Sequence, residues 1–146
     1  MLQSWFICVL VHFYFSYSEK KTWFDAKQVC DANRGSLPEV RNDEEFEELK
    51  RVYTDMRELF WIGGRFVEAD GEWVWGSDNQ RVDIARYKTP RYDMDADFCL
   101  IQLGDGFIDH DCNSDRAYRV VCDFPWSIFD KQLNNLIAQL PVNNLF

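Results

Sequence analysis

Few side chains in this sequence have the chemistry to react, and cysteine is foremost among them. Cys8, Cys30, Cys99, Cys112 and Cys122 include no C-x-x-C pair, the spacing on which zinc ribbons and thioredoxin-like redox sites depend. Four of them are scattered through the body of the chain, which is how a disulfide framework looks in an oxidising compartment. Spacing alone does not choose among their connectivities. Histidine occurs only at His12 and His110. No serine or cysteine sits in a recognisable nucleophile context, and no glycine-rich phosphate loop is present. Asp and Glu total 25, so counting alone does not dismiss a glycosidase-like carboxylate pair.

The acidic excess narrows the partners. Lys and Arg total 16, giving a formal net charge of -9. Such a surface suits a nucleic acid poorly, because phosphate binding relies on Lys and Arg. A length of 146 residues fits one domain. Hydrophobic residues make up 47% and aromatics 16%, enough for a packed core. Trp5–Phe15, reading WFICVLVHFYF, is shorter than the roughly 20 apolar residues that span a bilayer. Its length suits the apolar part of a signal peptide, although no Lys or Arg precedes it. Its end also reads as a first β-strand. If it is a cleaved leader, Cys8 leaves with it.

The elements that must position the remaining groups are legible. Thr22 with Asp25 makes a capping box for a first helix, which carries Phe24, Ala26, Val29 and Cys30 and stops at Gly35. A second helix starts near Asn42 with Glu45 at the third position and has an apolar stripe of Phe46, Leu49, Val52 and Met56. FWIGG at 60–64 and EWVWG at 72–76 read as strands. Ser77 to Asp97 reads as one long loop, and long loops in compact domains are often functional. Cys99–Leu103, Phe107–His110 and Tyr118–Phe124 read as closing strands. In the tail, Ser127 and Asp130 can cap a helix that aligns Ile128, Phe129, Leu133, Leu136, Ile137 and Leu140 before Pro141.

Taken in order, TWFDAKQVCDANRGSLPEV at 22–40, FWIGG, EWVWGS and the closing DFC…GDGFIDHDC…AYRVVCDFP resemble the C-type lectin family. Gly64 stands where the family's Trp-Ile-Gly-Leu signature has Leu. The resemblance covers about Tyr14 to Pro125. It implies an α+β C-type lectin-like fold with two helices, short antiparallel sheets, one long loop and two disulfides, Cys30–Cys122 and Cys99–Cys112. In the chain-entropy account the longer closure contributes about 4–5 kcal/mol and the shorter about 3 kcal/mol. The domain then occupies 14–125, after a signal-like or irregular segment at 1–13 and before an amphipathic tail at 126–146.

In sugar-binding members of the family, a calcium ion held by the long loop and the next strand binds the sugar. Calcium wants six to eight oxygen ligands. Here the family's Glu-Pro-Asn triplet is replaced by Thr89-Pro90-Arg91, and its Trp-Asn-Asp triplet by Phe107-Ile108-Asp109. Asp97 and Asp109 keep the acidic positions and are the candidate metal ligands. Arg91 brings a cation where an amide oxygen is expected, and two carboxylates beside a guanidinium read more simply as an ion pair. Asp93, Asp95 and Asp97 alternate and offer a further acidic run. Calcium is therefore allowed by an incomplete site, and no cofactor is expected.

The sequence thus reads as a secreted, extracellular recognition module, not an enzyme, without a membrane span. Its ligand is a glycan or a protein, bound through Thr89, Arg91, Tyr92, Asp97 and Asp109, with Tyr87 nearby. The alternatives are a calcium-dependent lectin with a divergent site, and a structural protein that forms oligomers through its C-terminal helix.

Overall fold

Three apolar tripeptides run without alternation: Phe60-Trp61-Ile62, Cys99-Leu100-Ile101 and Val120-Val121-Cys122. Successive strand residues face opposite sides, so such runs fit a sheet buried on both faces. The computed structural model describes residues 12–88, 97–114, 118–125 and 135–139, and it has that sheet. Its strands are β1 (His12–Lys21), β2 (Phe60–Val67), β3 (Glu72–Trp75), β4 (Phe98–Leu103), β5 (Gly106–Asp111) and β6 (Tyr118–Pro125). They lie in the order β1-β6-β2-β4-β5, with β3 joined to β2. All pairs are antiparallel except β2 with β6, which meet in parallel at Phe60 and Arg119.

One helix covers each face. Trp61, Ile101, Val120 and Cys122 form one core with Trp23, Ala26 and Cys30 of α1 (Trp23–Ala32). Phe60, Ile62, Leu100 and Val121 form the other with Leu49 and Val52 of α2 (Asp43–Met56). Both helices start as the sequence indicates. The Thr22 hydroxyl accepts the Asp25 N–H, and the Asn42 side chain accepts the Glu45 N–H at 2.8 Å. Both expected disulfides are present, Cys30–Cys122 and Cys99–Cys112, and all four cysteines lie on the α1 side of the sheet.

At Ile62–Gly64 the pairing of β2 with β4 shifts register, and the freed backbone groups find partners elsewhere. The Trp23 indole N–H donates to the Ile62 carbonyl at 2.8 Å. The Gly63 N–H donates to the Pro38 carbonyl, and the Gly76 N–H to the Gly63 carbonyl, both at 2.8 Å. Gly64 carries no side chain because the Leu100 side chain fills the space a Cβ would need. This accounts for glycine at the position where the family signature has leucine.

Three local expectations change. The first strand begins at His12, so residues 12 and 13 belong to the domain; Cys8 and the rest of 1–11 lie outside the described residues. Gly35 is not the left-handed stop of α1. Arg34 takes the positive φ of 66°, and Gly35 is small because a Cβ there would sit 2.8 Å from the Phe124 ring. The stretch from Ser77 is not uniformly irregular, for Arg81 bridges to Val74, Ile84–Arg86 form a 3-10 turn, and Tyr87 bridges to Phe107. Val82 and Tyr87 are buried in the α2-side core. The antiparallel strands join in one sheet with a parallel seam. Of the amphipathic tail, residues 135–138 are helical, with Leu136 and Ile137 exposed.

Trp61 is fully buried and its indole donates to the Lys21 carbonyl at 2.7 Å. Trp61→Ala is expected to cost about 3–5 kcal/mol in urea unfolding. Gly64→Ala is expected to cost about 1–3 kcal/mol through overpacking against Leu100. A near-neutral result for Trp61→Ala would mean that this segment does not organise the core.

Candidate functional site

The long loop stands on β5 by two feet. At the first, the Lys88 N–H donates to the Phe107 carbonyl at 2.9 Å, next to the Tyr87–Phe107 bridge. At the second, the Cys112 N–H donates to the Asp97 carbonyl at 3.0 Å, beside the Cys99–Cys112 disulfide. From Phe107 to Asp111 the strand rises by about 13 Å. The run from Thr89 through Ala96, with Thr89, Pro90, Arg91, Tyr92, Asp93 and Asp95, lies outside the described residues. The residues that flank that run, Lys88 and Asp97, are held by Phe107 in β5 and by Cys112 just after it.

The first foot is well anchored. The Arg86 guanidinium lies over the Phe46 ring at 5.1 Å and pairs with Asp43 at the start of α2. Phe46 and Trp75 both present their rings edge-on to Phe107, at 5.8 and 6.1 Å. The Lys88 ammonium is 2.8 Å from the exposed Asp105 carboxylate and holds that carboxyl below its usual range. Gly106 leaves room for the Lys88 stem, which would lie 2.9 Å from a Cβ there.

The two candidate metal ligands are placed differently. Asp97 is exposed, and its carboxylate faces the Arg65 guanidinium at 3.9 Å. Arg65 pairs with Cys99 across β2 and β4 and lies 5.6 Å above the Phe24 ring of α1, so this group belongs to the α1 side. Asp109 is buried and stands opposite Leu100, whose side chain belongs to the α2-side core. The carboxylates are therefore presented to different sides of the sheet. The arginine that Asp97 meets is Arg65; Arg91 lies outside the described residues.

Among the described residues no three His, Cys, Asp or Glu side chains gather in a way that could hold a metal. A calcium cage needs six to eight converging oxygens. Asp97 turned toward a guanidinium and Asp109 turned into the core do not fit one. Sequence reasoning missed Arg65 and Phe24. The only local trace was a charge directly after the FWIGG run, and its meaning depends on contacts across three elements. Phe24 also borders a shallow hollow of about 610 Å³ on the outer face of α1, lined by Asp25, Lys27, Gln28 and Asp31.

Residues 19–124 match the family described as Lectin C-type domain. The chain belongs to that family. It is a family of binding domains. Relatives of this lectin domain include the human natural killer cells antigen CD94, 23% identical over 107 residues, covering 72% of this chain and 56% of the relative. Another is the mouse killer cell lectin-like receptor subfamily B member 1A, 26% identical over 118 residues, covering 80% and 49%. The chain spans about half the length of the curated relatives it matches.

Two solved structures are similar to the lectin domain at 25% identity. The mouse scavenger receptor C-type lectin carbohydrate-recognition domain has a TM-score of 0.67 and covers 80% of this chain and 90% of that one. The carbohydrate-recognition domain of cow CD23, solved in the presence of a GlcNAc2Man3 oligosaccharide, has a TM-score of 0.63 and covers 80% and 89%. No helix among the described residues of the lectin domain is long and apolar enough to cross a membrane.

The second foot depends on the short disulfide. Cys99→Ala with Cys112→Ala is expected to lower stability by about 3 kcal/mol. Amide exchange at position 112 should accelerate before exchange in β2. Unchanged exchange there would show that the foot stands without the bridge.

Proposed function

We propose that this lectin domain is an extracellular recognition module that binds a carbohydrate or protein ligand through its long-loop face without the family's calcium cage. The observation that carries the reading is the pairing of Asp97 with Arg65. A carboxylate facing a guanidinium is a poor calcium ligand, because a divalent cation brought beside it also meets the arginine charge. The binding surface in this reading joins the loop residues Thr89, Arg91 and Tyr92 to Asp97, Arg65 and the exposed Phe24 ring. Arginine and aromatic side chains are favoured anchors at recognition surfaces. Asp109, buried opposite Leu100, lies outside that surface in this reading.

The two disulfides support a place outside the cell, with the domain either released or held at the surface. That a relative is named as a killer cell receptor supports the protein-ligand form of the reading. The carbohydrate-recognition domains among the similar structures support the glycan form. Exposed Leu136 and Ile137 favour a second reading, assembly of copies through the C-terminal segment; a single monomer mass in sedimentation at high concentration would dismiss it.

A glycan array probed with and without a calcium chelator, joined to isothermal calcium titration, tests the main reading. Binding that survives chelation, with no calcium uptake in the micromolar range, is expected. Arg65→Ala is expected to weaken ligand binding by about tenfold or more, the scale of one lost anchor. Micromolar calcium uptake abolished by Asp97→Ala or Asp109→Ala would overturn the reading and make the domain a calcium-dependent lectin.

A further inference from the structure

His12 takes no part in the loop face. It opens β1, and its backbone is the register partner of Pro125 at the end of β6. The ring bridges two other elements. Its Nδ1 lies 2.8 Å from one Asp123 carboxylate oxygen and 2.9 Å from the other. Its Nε2 lies 3.3 Å from the Glu45 carboxylate on α2. The Tyr14 ring stacks beside it at 5.9 Å.

The chemistry of the partners decides the state of the ring. An ionised carboxylate only accepts hydrogen bonds, and a neutral imidazole has a single N–H. Carboxylates at both nitrogens therefore call for both nitrogens to carry protons, which only the imidazolium does. Asp123 is 7% exposed, and a carboxylate buried that deeply without a partner is strongly destabilising. A charged His12 removes that penalty and reaches α2 with its other nitrogen.

We propose that His12, protonated on both ring nitrogens, is a clamp that fastens the entry strand β1 to β6 and α2 together. Its proton is firmly held: the hydrogen bonds that the ring donates to Asp123 and then to Glu45 push the His12 pKa from 6.5 up to about 10, against an opposing effect of burial. The other groups around the ring are Tyr14 on β1, Glu45 and Glu48 on α2, Asp123 on β6, and Glu39, whose charge reaches Asp123. Burial raises the carboxyls of Asp123 and Glu48 and keeps the Tyr14 phenol neutral.

The sign of the pH effect follows. A histidine whose folded pKa is raised contributes stability that is whole below its unfolded value of 6.5 and is lost as pH climbs to about 10. Asp123 and Glu48 also bind protons more firmly in the folded state, so their contribution is whole below the ordinary carboxylate values and declines above them. A protonated Asp123 no longer offers the imidazolium a carboxylate, so the clamp itself is whole only while His12 is charged and Asp123 is ionised. The clamp opens in alkali as His12 gives up its proton, the reverse of a switch triggered by protonating a histidine.

The test is a nitrogen-15 NMR titration of the His12 ring in the whole chain, with native-state amide exchange of the natural chain and of His12→Gln. Both ring nitrogens are expected to be protonated at pH 8, with a midpoint near 10. His12→Gln should accelerate exchange of the protected amides of Phe13–Ser16 by about 10- to 100-fold, the scale of one lost hydrogen bond between charged groups. Amides of β2 and β4 should keep their rates. A midpoint near 6.5, an unchanged β1, or an equal acceleration across β1, β2 and β4 would each overturn the proposal. The titration needs no variant, so it decides the matter even if His12→Gln does not fold.

Discussion

The fold depends on a break in its central strand. Buried backbone groups must be paired, and between Trp61 and Arg65 the β2 backbone loses its regular pairing with β4. Its polar groups are met from three directions: the Trp23 indole at the start of α1, the Pro38 carbonyl in the segment between the helices, and the Gly76 amide after β3. One irregular tripeptide thus joins both helices' approaches and the first part of the long loop to the sheet. The same place shows why small residues cluster there. A Cβ at Gly63 would lie 2.9 Å from the Glu39 side chain, and that carboxylate also accepts from the Ser77 N–H at 3.1 Å and the Ser77 hydroxyl at 2.6 Å.

On this frame the loop face divides into a supported and a presented part. Tyr87 is in the core, edge-on to Trp73 at 5.2 Å, and Arg86 is docked on α2. The stem that leads into the loop is thus part of the folded body. Beyond it, charge replaces packing. Asp97 meets Arg65, which lies over Phe24. A cation built into the chain stands at the base of the loop.

What could be read from the sequence was what is local. The caps at Thr22 and Asn42 need only residues three apart, and both are present as read. The apolar stripe of α2 and the aromatic strands at 60–62 and 73–75 also declare themselves within a few residues. The disulfide pairing came from the family pattern, since nothing in the spacing prefers it. Features that needed distant partners were not legible. Gly35 reads as a helix stop until Phe124 is seen against it. Arg65 reads as an ordinary strand residue until Phe24 and Asp97 arrive from elsewhere. Tyr87 reads as an exposed loop aromatic until Trp73 covers it. His12 lies in a stretch that reads as an apolar leader or as a first strand, and only its bonds to Asp123 and Glu45 reveal its place.

The pairing of His12 with Pro125 also governs how the domain carries a mechanical load. The entry and exit of the domain are neighbours on adjacent antiparallel strands, so a pull applied between them peels β1 from β6 one rung at a time, the weak direction for a sheet. The peeling starts at the imidazolium and next meets Phe15 opposite Cys122, where the bridge to Cys30 locks β6 to α1. Tension would therefore strip the entry strand while the disulfide-bound remainder, with the loop face on its far edge, keeps its shape.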